Sequence, residues 1–415
     1  MNILFLTDNF PPETNAPATR THEHSRNWVA AGHQVTVLTN VPNFPAGRIF
    51  PGYRNKLWQR EAMDGIRVVR VWTYVTANEG FFRRSLDYFS FGVTGVLGGL
   101  FLPAPHVIVA TSPQIFTALG ACILAWIKRR PFVFELRDLW PDSIVAVGAM
   151  REGPLLRTLR RLEYRLYHRA AKIVSVTHAF KRILVANGIP QERIAVIRNG
   201  VDLEAFVPGP KPVELARRLG LEGKFVAAYV GTIGMAHGLD TLLSAVERLK
   251  DRKDLAFVLV GTGAERTRLE EDAKRRGLDN VIFVGTVGKE EVKRYWRLCD
   301  VALVLLRDVS LFQHVIPSKI FEAMGTGRPI ILGVRGESLE LVQEAGAGIA
   351  ISPENPQALA EAITKLMDNP ALCRDMGAAG RKFVEGNFDR EHLALEMLNV
   401  LEEVVESRSH AEARA

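Results

Sequence analysis

The segment HVIPSKIFEAMGTGRPIILG, His314–Gly333, carries the residue types and spacing best suited to hold a charged ligand. Pro317 is placed to open a helix, Ser318 and Lys319 follow in its first turn, and Ile320–Met324 continue with helical spacing. The N–H groups of a first helical turn have no partner within the helix, and Lys319 adds a full positive charge beside them, which together suit a diphosphate. One turn later Glu322 can accept hydrogen bonds from two vicinal hydroxyls, as a ribose offers. GTGRP, Gly325–Pro329, then ends the helix and leads into a strand. A capped helix with a solvated Lys and Glu explains the same residues, so this segment alone leaves both readings standing.

Other chemistries are poorly supported. The loop after the first strand, TDNFPPETNAPATR, has no glycine, so the tight pyrophosphate turn of a dinucleotide site is missing. GTGAER, Gly261–Arg266, lies between a strand and a helix, but Arg266 stands where the third glycine belongs, and no Walker A sequence occurs. Cys122, Cys299 and Cys373 are far apart in apolar or helical stretches, without zinc spacing, and read as thiols of a reducing cytoplasm. RDLWPDS, Arg137–Ser143, follows a strand, so Asp138 and Arg137 are candidates to position a hydroxyl or a phosphate; an Asp138 that only caps the next segment is the plain alternative.

These residues must be held by elements, and the chain supplies them in alternation. Short β-branched runs such as Asn2–Leu6, Val107–Thr111, Phe132–Leu136, Phe225–Gly231 and Val301–Leu306 alternate with amphipathic segments, which predicts parallel sheets covered on both faces. Thirteen such runs exceed one ordinary open sheet, and the pattern breaks at AFVPGPKPVE, Ala205–Glu214. The expected fold class is therefore α/β, with two doubly wound Rossmann-like domains facing a central cleft. Residues 1–202 form the first, 203–212 the linker and 213–389 the second, with a last helix at about 390–408 returning to the first.

In the 415 residues the net charge of +7 is uneven. Residues 1–200 carry 25 Lys and Arg against 13 acids, and residues 201–415 carry 28 against 33. The first half thus faces something anionic or is merely a basic solvated surface. FFRR, Phe81–Arg84, precedes an apolar stretch through Leu102, and Arg157–Lys172 is arginine-rich; basic residues beside aromatics suit an anionic membrane surface, though an ordinary amphipathic helix has the same look. The uncharged run Tyr88–Ala110 contains four glycines, two prolines and His106, a poor composition for a spanning helix. The N-terminus lacks a basic region and cleavage site, so no signal peptide is expected and the location is cytoplasmic, with peripheral attachment to the inner face of the cell membrane left open. Aromatics are not interleaved with the basic clusters as in a single-strand platform, which speaks against nucleic acid.

FEAMGTGRPII resembles the donor-site signature of family 4 glycosyltransferases of the GT-B fold. FPPE (Phe10–Glu13), AGHQVTVLT (Ala31–Thr39), RDLWPDS, RNGVD (Arg198–Asp202), YVGTIGMAHGLDTLLSAV (Tyr229–Val246) and LVGTGAERTRLE (Leu259–Glu270) resemble the same family in its order, over nearly the whole chain. PSK and DLWP look most like the bacterial branch that includes L-fucosamine transferases and enzymes of colanic acid or O-antigen biosynthesis.

The resemblance implies transfer of a sugar from a nucleoside diphosphate sugar, UDP by preference of the branch, with retention of configuration and without metal or other cofactor. The acceptor it implies is a polyprenyl-diphosphate-linked or cell-surface glycan. It places Gly231, Thr232, Gly234, His237, Gly285, Val287, Ser318, Lys319 and Glu322 around the donor, and Asn15, Arg20 and His178 on the acceptor side. Departures are equally specific: His314 stands where the family's first acidic residue of Glu-x7-Glu belongs, Thr232 and His237 stand where an Arg and a Lys often hold the diphosphate, and Ala16–Pro17 replace paired glycines. His237 is then a pH-dependent cation at best, and Lys319, Arg328 and the helix N-terminus must supply more of the phosphate stabilisation. The rival readings are a nucleotide-sugar epimerase of the same fold and a non-catalytic sugar-nucleotide-binding subunit.

Overall fold

A computed structural model describes the chain except residues 45–46, 77–80, 147, 149, 151 and 415, and gives the backbone alone for Phe81, Phe82 and 411–414. The chain divides into two compact units, Met1–Arg198 with Arg390–Ala415, and Asn199–Asp389. The Phe81 and Phe82 side chains of the FFRR segment therefore lie outside the described residues.

The first unit runs β1 (Asn2–Leu6), α1 (Ala16–Ala30), β2 (Gln34–Asn40), β3 (Trp58–Met63), β4 (Ile66–Val71), α2 (Phe81–Leu100), β5 (Val107–Thr111) and α3 (Ile115–Ile127). It continues with β6 (Phe132–Leu136), α4 (Asp142–Ala146), α5 (Pro154–Arg169), β7 (Lys172–Ser175), α6 (His178–Ala186) and β8 (Ile194–Val196). The sheet order is β3-β4-β2-β1-β5-β6-β7-β8, parallel throughout except β3 with β4. Central strands such as VIVAT and FVFEL are buried at every position because helices cover both faces. The sequence reading missed β3, a half-exposed edge strand of alternating polar residues. Its turn, Asp64–Gly65, has positive φ at both residues (50° and 77°), the Asp-Gly hairpin that matches strand twist.

The C-terminal helix, Arg390–Arg414, completes this unit. Its Leu393, Met397 and Leu401 join the core around Phe5 and Trp28, and Trp28 Nε1 donates to the Ala394 carbonyl at 2.7 Å. On the sheet, α2 lies so close to α3 that a Cβ on Gly120 would stand 2.8 Å from the Gly92 carbonyl oxygen.

The second unit runs α7 (Val213–Arg218), β9 (Phe225–Val230), α8 (Asp240–Arg248), β10 (Leu255–Val260), α9 (Arg266–Arg275), β11 (Val281–Gly285), α10 (Lys289–Leu298) and β12 (Val301–Leu305). It ends with α11 (Lys319–Gly325), β13 (Ile330–Gly333), α12 (Glu337–Glu344), β14 (Gly348–Ala350), α13 (Pro356–Met367) and α14 (Pro370–Asn387). Its six parallel strands are ordered β11-β10-β9-β12-β13-β14. The stretch expected as a linker, 203–212, belongs to this unit and is tied down: Phe206 is buried, Arg381 bonds the Phe206 carbonyl at 2.6 Å, and Arg328 bonds that of Gly209 at 2.9 Å.

Candidate active site

In a doubly wound sheet ligands gather at the carboxyl ends of the strands, where the order reverses. In the second unit that reversal lies between β9 and β12, and Gly231, His237 and Lys319 meet there around Tyr229. Gly231 follows β9, Gly261 follows β10 and Gly285 ends β11, with φ of 134°, 135° and 93°. The three turns interlock: Gly231 N–H donates to the Val260 carbonyl at 2.9 Å, and Gly261 N–H to that of Gly285 at 2.8 Å. A Cβ on Gly261 would stand 2.0 Å from the Gly231 carbonyl oxygen, so this approach of backbones requires glycine. Gly234 opens the short turn Met235–His237, and Thr232 is exposed beside it. Val287 lies in the loop after β11.

Lys319 is the first residue of α11, and its ammonium is the most unusual group of the unit. Nζ is enclosed, has no hydrogen-bond partner, and sits 3.6 Å from the centroid of the Tyr229 ring at the end of β9. A Cβ on Gly231 would stand 3.0 Å from it. Burial lowers the ammonium from its ordinary range to about 7, against an opposing pull from Glu322. Tyr229 is fully buried, and its hydroxyl donates to the Thr232 carbonyl at 2.6 Å.

His237 packs edge-on against the other side of that cluster, 5.7 Å between ring centroids from Tyr229. Burial, joined by the charge of Lys319, lowers His237 to about 3, against a weaker pull from the Leu305 backbone. The pH-dependent cation expected at this position is thus a neutral imidazole at every physiological pH. Two further expectations change. Helix α11 starts at Lys319 rather than Pro317, with Ser318 as its cap in helical conformation and without a side-chain cap bond. Its first turn uses the N–H groups of Ile320, Phe321 and Glu322 on Pro317 and Ser318 carbonyls, which leaves only those of Ser318 and Lys319 outside the helix's own bonds. Arg328 is partly committed elsewhere: one terminal nitrogen bonds the Gly209 and Arg297 carbonyls, both at 2.9 Å, while its Nε is enclosed without a partner.

Glu322 is oriented by Trp296, whose Nε1 donates to Oε2 at 2.9 Å. His314 ends the short helical turn Ser310–His314, half-buried, on a loop pinned by Ser338 Oγ, which donates to the Val315 carbonyl at 2.7 Å. Tyr229 and Trp296 escaped the sequence reading because each also fits a core position, Tyr229 on an apolar strand and Trp296 on an amphipathic helix.

In the first unit the order reverses between β1 and β5. Ser112 Oγ, just past β5, accepts from the N–H groups of Arg137 and Asp138 at 2.8 and 3.1 Å and so fixes the turn after β6. Burial raises the Asp138 carboxyl, and bonds from the Ser143 hydroxyl and the Leu139 N–H oppose that. Both bonds hold the carboxyl within the turn that precedes α4. Arg137 is different: its Nε and one terminal nitrogen are enclosed without partners, and burial lowers the guanidinium to about 10, opposed by Glu135 and reinforced by Arg20 and Arg390.

The structure places each acceptor-side candidate in the first unit. Arg20 is a brace, with Nε on Glu135 at 2.7 Å and its terminal nitrogens on the Arg198 and Ile197 carbonyls. Asn15 caps α1, accepting from Ala18 N–H at 3.0 Å. His178 is exposed at the start of α6, which Thr177 caps. Asp8, two residues past β1, was missed: Thr117 donates to one oxygen, the other is enclosed without a partner, and burial pushes the carboxyl well above the ordinary range. Among the described residues no group of three His, Cys, Asp or Glu is arranged to hold a metal ion.

Comparison with known proteins covers both units. Residues 15–200 match the family model of the glycosyl transferase 4-like domain, and residues 214–383 that of glycosyl transferases group 1. The putative colanic acid biosynthesis glycosyl transferase WcaI of Escherichia coli is 25% identical over 96% of this chain and 99% of its own. The probable glycosyltransferase WbjE of Pseudomonas aeruginosa is 26% identical over 70% of each chain. Among solved structures, sucrose-phosphate synthase of Thermosynechococcus elongatus superposes with a TM-score of 0.77 at 19% identity, over 98% of this chain and 99% of that one. Anabaena HepE in complex with UDP-glucose does so with a TM-score of 0.72 at 18% identity, over 97% and 100%. With a glycosyltransferase model matched on each of its two Rossmann-like units, the chain belongs to the family 4 glycosyltransferases of the GT-B fold.

Proposed function

We propose that the enzyme transfers a sugar from a UDP-sugar, with retention of configuration, to a polyprenyl-diphosphate-linked glycan during synthesis of a cell-surface polysaccharide. The observation that carries this reading is the enclosed, unpartnered Lys319 ammonium beside the glycine turns of β9 and β10. A departing nucleoside diphosphate develops negative charge, and a fixed cation in a water-poor site stabilises it far more than the same charge in water. Ser318 and Lys319 N–H groups add two donors, and Glu322, held by Trp296, suits the ribose hydroxyls. No metal is needed in this scheme. Arg137, with two enclosed N–H groups lacking partners, suits an anionic group on the acceptor side. The name of the E. coli relative, colanic acid biosynthesis, and the UDP and UDP-glucose complexes of HepE support the polysaccharide and uridine assignments.

The test is incubation with a panel of nucleotide-sugars and a short-chain polyprenyl-diphosphate-sugar, with UDP release and the anomeric proton of the product read by NMR. Retained configuration with stoichiometric UDP supports the proposal; inversion contradicts it. A second reading, a subunit that binds nucleotide-sugar without catalysis, is favoured by neutral His237 and by His314 in place of an acid. Donor binding without release for any acceptor would establish it.

A further inference from the structure

The first unit carries an outer surface that the transfer reaction does not use. On α2, Leu86, Phe89, Val93, Leu97 and Leu100 recur at steps of three and four, so they form one stripe, and all are exposed. The stripe continues onto Phe101, 80% exposed, and onto the neighbouring helix α3 through Ile123, Ile127 and Trp126, the last 76% exposed. A surface of this kind on a soluble domain marks an interaction site. No Lys, Arg, Asp or Glu occurs from Tyr88 through Ile127.

Where the apolar stripe ends, cations begin. The end of α3, the end of α5, the starts of β6 and β7 and the C-terminal helix line an open hollow of about 1220 Å³ at the amino ends of the strands, away from the turn that holds Arg137. Trp126 forms part of its wall, and Arg129, Arg130, Arg169 and Lys172 face it, against Glu192 and Glu403, the latter 3.8 Å from Lys172. Arg130 Nε is enclosed there without a partner. Helix α5, packed beside α3, continues the positive edge with exposed Arg157, Arg161 and Arg165, one per turn. Among the described residues no helix is long and apolar enough to cross a membrane.

We infer that the α2–α3 face docks on an anionic lipid bilayer, with the apolar stripe entering the headgroup boundary and the hollow beside Trp126 receiving a lipid phosphate. Charge complementarity selects this occupant: the rim is cationic on the α3 and α5 sides, a tryptophan stands at the junction of apolar and charged surface, and the stripe is of the size that interfacial helices insert. The inference deepens the lipid-linked-acceptor reading, but its test reads vesicle binding and needs no transfer.

The experiment is co-sedimentation of the full chain with phosphatidylcholine vesicles, with and without phosphatidylglycerol, at low and high salt. Binding is expected only with phosphatidylglycerol, weakening with salt. Two variants separate the contributions, each checked by its melting temperature. Arg129→Glu with Arg169→Glu should lower the partition coefficient by at least roughly tenfold, and Trp126→Ser should lower it several-fold. Inorganic phosphate at constant ionic strength should not release the protein. Failure of the wild type to sediment with phosphatidylglycerol at low salt overturns the inference. So does equal binding by the charge-reversed variant, which would place the contact elsewhere, and so does release by inorganic phosphate, which would make the hollow a site for soluble anions. Sugar transfer to a water-soluble acceptor should survive in both variants, so a failure of the docking surface and a failure of the transferase assignment give different results.

Discussion

The Lys319 ammonium lies 3.6 Å from the centre of the Tyr229 ring and has no hydrogen-bond partner, so the aromatic face and the charge of Glu322 are what stabilise it in the free protein. Such a contact contributes about 0.5–2 kcal/mol, less than a desolvated ammonium loses, and burial accordingly lowers Lys319 to about 7. A nucleoside diphosphate would supply the missing partner.

The pH dependence of stability follows from that value. Lys319 releases its proton near pH 7 in the fold and near its ordinary 10.5 when unfolded, so between those limits the unfolded chain binds more protons. Stability from this group therefore rises with pH from about 7 toward 10.5 and is lowest below pH 7. Chemical denaturation at pH 6, 8 and 9 should show Lys319→Met gaining on the wild type at pH 6 by up to a few kcal/mol and the difference shrinking as pH rises. A constant difference would contradict the buried, unpaired cation.

Arg20 and Glu135 form a buried ion pair at 2.7 Å with side chains 6% and 1% exposed. Arg20→Ala leaves a carboxylate enclosed without its cation, and urea denaturation should show a loss of about 3–5 kcal/mol. Arg20→Met with Glu135→Leu should recover only part of it, because the buried Arg137 also loses the Glu135 charge. A similar loss in the double variant would indicate that the bonds from Arg20 to the Ile197 and Arg198 carbonyls carry the stability instead.

Much of the scaffold was legible from alternation of β-branched runs with helical spacing, because parallel strands buried on both faces leave that mark directly. The edge strand β3 left none, being half-exposed and polar, although its Asp64–Gly65 turn was readable. At the site, Lys319 and Glu322 could be found from spacing within one segment. What spacing cannot show is who already holds a side chain. Arg20 and Arg328 look like free cations in the sequence, yet both are committed to carbonyls or a carboxylate brought from distant strands and loops. His237 looks titratable, and only its packing against Tyr229 and Lys319 makes it neutral.

Trp28, fully buried, ties α1 to the C-terminal helix through its bond to Ala394. Trp28→Ala should cost about 3–5 kcal/mol in the first unit, read as a lower melting transition by calorimetry. Removal of residues 390–415 should lower the same transition further, since it strips Met397 and Leu401 from the core.

Trp296 holds Glu322 at 2.9 Å. Trp296→Phe keeps the packing and removes the donor, so UDP affinity should fall by roughly tenfold, the scale of one hydrogen bond to a charged group. Uridine monophosphate should suffer the same loss, because the ribose and not the diphosphate is affected. A loss confined to the diphosphate would contradict the role given to Glu322.

The central claim is that Lys319 grips the donor diphosphate and takes up a proton to do so. Calorimetric titration of UDP at pH 8, in buffers of different ionisation enthalpy and with chelator present, tests it most directly. The account predicts metal-independent binding with uptake approaching one proton at pH 8, falling toward none at pH 6, and loss of both the uptake and at least roughly tenfold in affinity in Lys319→Met. Binding of UDP by Lys319→Met with unchanged affinity and the same proton uptake would contradict it.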